Sequence, residues 1–440
     1  MFLSIYQIKK RSIADAAVNV YLPAFLLIPS IYGFRIPHLP GMILSIAALI
    51  PIVVTLLARH WREWKFQRTD LWMALFFAGL YYTELSHSGA ANAGLISIGG
   101  LETGIMPYIL GKLLLEQDGV RERFARRYAY ICFFVAIISV WEFRMGNDLF
   151  VRVEGLLLGF GYVGGQIRNG FMRIAGPFTG SIQAGSVFAL AWLFSMWLGV
   201  VDKSRGNEPK YLGLRRSTIL SIGSAGGLIM SLSRGPMVGA ILSLMVARIG
   251  KAKNMARTAV ITIVLITVGG TFGYFEAQQY TSGTIETAKS QDQGNAIYRR
   301  MLLDQYKPYV EKGGLFGYGV IQRPVVPGMF SIDNAYLNIQ LIQGNLGLWM
   351  FILLGGEAVI AGSLAARRST EQSDVFFALC IVGGMAGFLL ALTTVWLGSP
   401  MYELFFLMVG WSQSLRQTES VGVMLPQPVS ARFSFRRVIA

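Results

Sequence analysis

Apolar stretches of about 20 residues recur along nearly the whole of this chain, and that spacing excludes most folds. A helix rises ~1.5 Å per residue, so each stretch matches the ~30 Å hydrocarbon core of a bilayer. Inside that core every backbone N–H and C=O must find its partner within the segment or a closed sheet, and runs of this length point to helices. The 440 residues are 53% hydrophobic and 14% charged, where soluble domains carry roughly 25% charge. These features predict an all-α polytopic membrane protein, a single integral membrane domain over 1–440. Its twelve transmembrane helices are expected near 16–34, 40–58, 71–88, 93–111, 129–143, 180–200, 217–232, 236–248, 258–275, 335–365, 375–396 and 401–415. The tenth is too long for one straight crossing. It is expected to start as a helix at the membrane surface and to break near Gly344.

Basic residues mark the orientation. With the N-terminus inside, about two thirds of the 39 Lys and Arg fall in inside segments, as in Lys9–Lys10–Arg11, Arg121 to Arg127 and Arg248 to Arg257. That bias predicts N-in and C-in, with a cytoplasmic tail over 416–440. It also accounts for the net charge of +15 without a nucleic-acid partner, which would need a continuous basic groove. No small-residue cleavage site follows the first apolar run, so that run is expected to remain as a span. Cys132 and Cys380 lie in apolar runs and are expected to be core residues without a disulfide. Three histidines without a Cys/His cluster predict no metal site, and no cofactor is expected.

Two outside segments are long, 144–179 and 276–334. Loops of that length are functional or disordered, and the second has the pattern of order. Residues 297–311 read as an amphipathic helix, with Tyr298, Met301, Leu302, Gln305, Tyr306 and Tyr309 on one face. Arg300, Asp304, Lys307 and Glu311 fall on the other, spaced for ion pairs. The following GGLFGYG, 313–319, predicts a tight turn whose small residues let backbone approach closely. Acids and bases balance over 276–333, so an anion bound here needs individually placed side chains.

Arg234, in SLSRGP at the outer corner between two spans, is the first candidate. A charge there costs ~2.5 kcal/mol or more toward the span centre, and guanidinium suits bidentate phosphate binding. Snorkelling to headgroups is the plainer reading. Arg173, in RIAGPFTGS, is a second candidate beside the reading of a solvated loop arginine. Arg299 and Arg300 open the amphipathic helix, and the pattern does not choose between them. Asp333 reads either as the N-cap of the helix that follows or as a general base at the membrane boundary. Glu84, Glu102, Glu142, Glu357 and Glu403 lie in or near spans and are expected to face the bundle interior.

Four stretches in this order resemble the superfamily of O-antigen ligases and O-antigen or exopolysaccharide polymerases: RIAGPFTGSIQAGSVFALA (173–191), SLSRGPMVGAILSL (231–244), YRRMLLDQYKPYVEKGGLFGYG (298–319) and DNAYLNIQLIQGNLGLWMFILL (333–354). The resemblance implies an inner-membrane glycosyltransferase with a large periplasmic loop at 276–334. Its implied partners are an undecaprenyl-diphosphate-linked glycan and membrane lipid, and a chain-length regulator is compatible with it. Arg173, Arg234 and one of Arg299/Arg300 are implied to clamp the diphosphate without a metal. Asp333 is implied to deprotonate the acceptor, with Asn334 and Tyr298 in support. Asp333 stands where the ligases usually carry a histidine, which favours polymerase over transfer to lipid A core. Competing readings are the ligase itself, transfer of the oligosaccharide to protein, and a polysaccharide transporter or flippase. The last usually shows internal repeats and polar or broken helices at the midplane, whereas here the charges gather at the outer face.

Overall fold

The structure is a computed structural model that describes residues 1–30, 32–34, 41–158, 165–168, 170–206, 209–211, 213–329 and 331–422. Outside the described residues lie 31 and 40 of the first two expected spans, Arg35, His38, 159–164 and 169 of the first long loop, 330 of the second, and 423–440 of the expected tail.

Helices dominate. In chain order they are α1 (Phe2–Lys10), α2 (Ile13–Leu27), α3 (Leu44–His60), α4 (Arg68–Leu113), α5 (Val120–Met145), α6 (Leu149–Leu158), α7 (Ser181–Ser204), α8 (Arg216–Met230), α9 (Arg234–Ile249), α10 (Met255–Tyr280), α11 (Gln291–Gly313), α12 (Ala335–Arg368), α13 (Gln372–Ala391) and α14 (Met401–Gly422). Seven of them, α3, α4, α5, α7, α10, α12 and α13, are long and apolar enough to cross a membrane. Three two-stranded antiparallel ribbons join them: β1 (Gly33–Phe34) with β2 (Met42–Ile43), β3 (Ile167–Arg168) with β4 (Phe171–Met172), and β5 (Lys210–Tyr211) with β6 (Leu214–Arg215). In the middle ribbon Arg168 pairs with Phe171.

The 46-residue α4 doubles back. Gly89 sits at φ 81°, ψ 170°, a conformation that glycine alone adopts at little cost. Beyond it the second leg lies along the first. Phe77 fills the space above Gly100 and Gly104, and Asp70 accepts hydrogen bonds from Tyr108 (2.7 Å) and Lys112 (2.6 Å). The two expected stretches 71–88 and 93–111 are therefore the legs of one hairpin. Packing elsewhere depends on small residues. A side chain on Gly239 would meet the Gly387 carbonyl oxygen at 2.4 Å, and one on Gly410 the Tyr108 carbonyl at 2.1 Å. Such close backbone approach is how helices associate when lipid is as apolar as their own side chains.

The end of the bundle formed by the N-terminus of α4, the α4–α5 connection and the start of α13 is laced with ion pairs. Asp70 holds Lys112, Arg121 bridges Glu116 and Asp374, and Asp202 holds both Arg126 and Arg216. The described residues of the 144–179 and 276–334 segments lie at the opposite end. Glu84, Glu102, Glu142, Glu357 and Glu403 are all buried, as expected. Glu142 and Glu84 anchor loop backbone at the covered end. Glu142 takes the N–H groups of Ala175 (2.7 Å) and Gly176 (2.9 Å), and Glu84 takes that of Val320 (2.7 Å).

The break expected near Gly344 is present, with φ 63° and ψ −159° inside α12. It is not a helix end, since α12 resumes and runs on to Arg368. The 313–319 turn enters the gap. Tyr318 and Gly319 donate to the carbonyls of Leu341 (2.8 Å) and Ile342 (2.9 Å), while Asn345 and Leu346 donate to those of Gly314 and Leu315 (both 3.0 Å). The groups freed by breaking the helix are thereby paired again. A Cβ on Gly344 would lie 2.4 Å from the Leu315 carbonyl, whereas one on Gly314 meets nothing within 4 Å. Gly344→Ala is expected to lower stability by about 4 kcal/mol, from strain and clash together, and Gly314→Ala by only ~2 kcal/mol, from its positive-φ backbone alone. Thermal melting in detergent followed by tryptophan fluorescence compares them. Equal losses would mean that the inserted turn is not what holds this end together.

Candidate functional site

The corner between α8 and α9 sets the site. Residues 231–233 join two helices with almost no chain to spare, and Leu232 is forced to φ 47°, the left-handed region that a γ-branched side chain adopts only under constraint. The last carbonyls of α8 are taken by Ser231, Leu232 and Ile174, and the corner's own carbonyls are met by arginines. Arg168, held on the β3–β4 ribbon, donates to the Leu232 carbonyl (2.7 Å). Arg173 donates through Nε to the Ser231 carbonyl (3.3 Å) and through Nη2 to Ser233 Oγ (2.9 Å). Gln166 holds a third nitrogen of Arg173 through its side-chain oxygen and accepts the Arg173 N–H (2.9 Å) on its backbone. Cations at a helix C-terminus are stabilised by its dipole.

Arg234 opens α9 beside them, and its guanidinium meets Asp292 Oδ2 at 2.6 Å. The other oxygen of Asp292 receives Arg168 at 2.8 Å. One carboxylate at the start of α11 thus bridges two arginines from two other segments. Arg299 lies two turns further along α11. Its buried Nε has no hydrogen-bond partner among the described residues.

The groups feel one another's charge. Burial, then Arg168 and Arg299, push Arg173 down to about 10, with Asp292 acting against them. Burial also lowers Arg299, opposed by Asp333 and reinforced by Arg168 and Arg234. Four guanidiniums therefore share one field with two carboxylates. A like-charge cluster of this kind is relieved by a bound anion.

The amphipathic helix is longer than expected and rotated. It spans Gln291–Gly313 and buries Ile297, Leu302 and Tyr306, while Gln305 and Tyr309 are exposed. That rotation separates the two arginines left open by the sequence. Arg299 turns inward to the cluster. Arg300 is exposed and donates to the Gly283 carbonyl (3.0 Å), not to Asp304 and not to the cluster. The N-cap of α12 also differs from expectation. Asn334 Oδ1 accepts from Leu337 N–H (3.1 Å), so Asn334 is the cap and Asp333 is free of that duty. Asp333 accepts from Ser331 Oγ (2.9 Å) and lies within the electrostatic reach of Arg299. Tyr298 is a fastener. Its hydroxyl donates to the Ser331 carbonyl (2.9 Å) and accepts from the Ser331 N–H (3.0 Å), which fixes the strand carrying Asp333. Tyr306 and Tyr318 likewise bond to loop backbone.

Sequence reasoning did not single out Arg168 or Asp292. Arg168 counted only among the outside positives, and Asp292 only in the loop's charge balance. Their partners lie 58 and 64 residues away, beyond any local pattern. The fold and site together define a polytopic helical membrane protein with an arginine cluster at its loop-covered end. No protein-family model matches the chain, and no curated protein matches it.

Asp292 supplies the negative charge that pairs Arg168 and Arg234. Asp292→Asn keeps the side chain's shape while releasing Arg168 and Arg234. It is expected to tighten inorganic pyrophosphate binding about tenfold, or ~1.4 kcal/mol. Arg234→Gln is expected to weaken binding. Isothermal titration on the detergent-solubilised chain reads both, and unchanged affinity in Asp292→Asn would separate the cluster from anion binding.

Proposed function

We propose that this chain is a bacterial inner-membrane glycosyltransferase that polymerises oligosaccharide repeat units carried on undecaprenyl diphosphate at the periplasmic face. The reading combines the resemblance of the 173–191, 231–244, 298–319 and 333–354 stretches with one structural observation. Arg168, Arg173, Arg234 and Arg299 converge at the loop-covered end, with Asp333 in reach of Arg299. In this reading the chain crosses the membrane twelve times. The seven long helices are joined by α2, α8, α9 and α14, and the α4 hairpin contributes two crossings, with both termini in the cytoplasm.

The chemistry follows from charge. An acceptor hydroxyl attacks the anomeric carbon, the bond from that carbon to the diphosphate oxygen breaks, and the sugar inverts. Negative charge builds on the departing diphosphate. Guanidiniums already held in place stabilise that charge without reorganising during the step. Asp333 takes the hydroxyl proton as the general base. Asp292 leaves Arg234 and Arg168 as the donor's phosphates arrive. Arg168 joins the clamp, and Arg299 rather than Arg300 is its fourth member.

Complementation of a deletion strain tests the reading. Arg234→Ala and Arg299→Ala are expected to cut polymer formation about a hundredfold or more, the usual loss for a missing oxyanion partner, with the protein still in the membrane. Arg300→Ala is expected to leave it near normal. Asp333→Asn preserves the Asn334 cap and should abolish polymer if Asp333 is the base. Surface polysaccharide gels separate the alternatives. Loss of the ladder with one repeat retained supports polymerase, and loss of every repeat from the lipid core points to a ligase. Lipid-linked repeats trapped inside point to a flippase.

A further inference from the structure

The face opposite the arginine cluster carries a second arrangement that the proposed transfer does not use. α9 begins at Arg234, so Arg248 near its other end lies roughly 21 Å away along the axis. Two adjoining cavities open there, of about 460 Å³ and about 740 Å³, sharing Met196 and Lys251. Polar side chains predominate among the residues of the first, with Lys203, Arg215, Ser217, Thr218 and Gln372 in its wall. The second is an apolar groove between α7 and α9, lined by Trp192, Ile241, Leu244 and Met245, with Arg248 and Thr258 at its rim. No carboxylate lines either.

Two nearby acids, Asp202 and Asp374, are already engaged. Asp202 holds Arg126 (3.1 Å) and Arg216 (2.8 Å), and Asp374 holds Arg121 (2.5 Å). Lys203, Arg248 and Lys251 have no ion pair among the described residues, and Lys251 is steadied over the Phe376 ring at 4.4 Å. α10, which reaches the groove at Thr258, is largely exposed. Thr262 is its one buried residue, while Val264 is 53% exposed and Phe272 is 70% exposed.

We propose that this pair of cavities binds one anionic glycerophospholipid. Its phosphate sits among Lys203, Lys251 and Arg248 with the Ser217 and Thr218 hydroxyls, and one acyl chain lies along Trp192, Ile241 and Leu244. The joined polar and apolar compartments select an amphiphile, since free phosphate would leave the groove unused. The acid-free basic wall selects net negative charge, because a zwitterionic headgroup would bring an ammonium against it. The lipid's acyl chain fills the groove between α7 and α9.

Native mass spectrometry of the full chain, released from vesicles of mixed phosphatidylglycerol and phosphatidylcholine, tests this. The wild-type chain is expected to retain one phosphatidylglycerol, at about tenfold preference over phosphatidylcholine. The Lys203→Gln/Arg248→Gln/Lys251→Gln variant is expected to lose that preference. Leu244→Trp, which fills the groove and leaves the charges alone, is expected to reduce retention as well, and it keeps the test alive if the triple variant does not fold. Undiminished retention in the folded triple variant or in Leu244→Trp would overturn the proposal. So would equal retention of the two lipids, or displacement of the bound lipid by millimolar inorganic phosphate.

Discussion

The insertion of a glycine-rich turn into a broken helix organises the covered end of this protein. Breaking α12 at Gly344 frees backbone groups that cannot be left bare in an apolar bundle. The 313–319 turn supplies partners for them through four backbone hydrogen bonds. The exchange is possible only because glycines stand on both sides, with Gly317 and Gly344 each too close to the other strand for any side chain. One end of the large loop is thereby fixed to the helix whose start carries Asp333. The other end follows α11, whose buried Leu302 and Tyr306 pack with Ile332, Leu337 and Leu341 of the α12 approach.

Electrostatics then acts on a scaffold already in place. The corner at 231–233 leaves carbonyls unpaired, and Arg168 and Arg173 answer them. This use of arginine as a cap is structural, yet it gathers guanidiniums beside Arg234 with more positive charge than the local acids neutralise. The residues that hold this corner therefore also concentrate positive charge beside it. Asp292 lies between two of these arginines, and its place at the start of α11 ties the cluster to the loop. Glu142 works from below, gripping the backbone just after Arg173.

Local sequence features translated well into local structure. The apolar runs became helices, the glycine at 344 became a break, and the carboxylates placed within spans are buried. The helix at 297–311 was legible as amphipathic, but its buried face was misjudged. Tyrosines count as apolar in a periodicity argument, while Tyr309 uses its carbonyl to hold Tyr318 and leaves its ring at the surface. Of the two readings open for Asp333, the cap falls instead to Asn334, because aspartate and asparagine cap equally well and only the turn geometry separates them.

What the sequence determined by itself was the membrane-like helical pattern, the place where one helix must bend, and a short set of arginines at one end of the helices. Those follow from hydrophobic period, glycine and charge, which act over a few residues. The tertiary structure decided the rest: that Arg168 belongs with Arg234, that Asp292 bridges them, and that Arg299 turns in while Arg300 turns out. Each depends on segments dozens of residues apart meeting once the loop closes on the bundle. A chain read in order carries no distance for such a meeting until packing creates one.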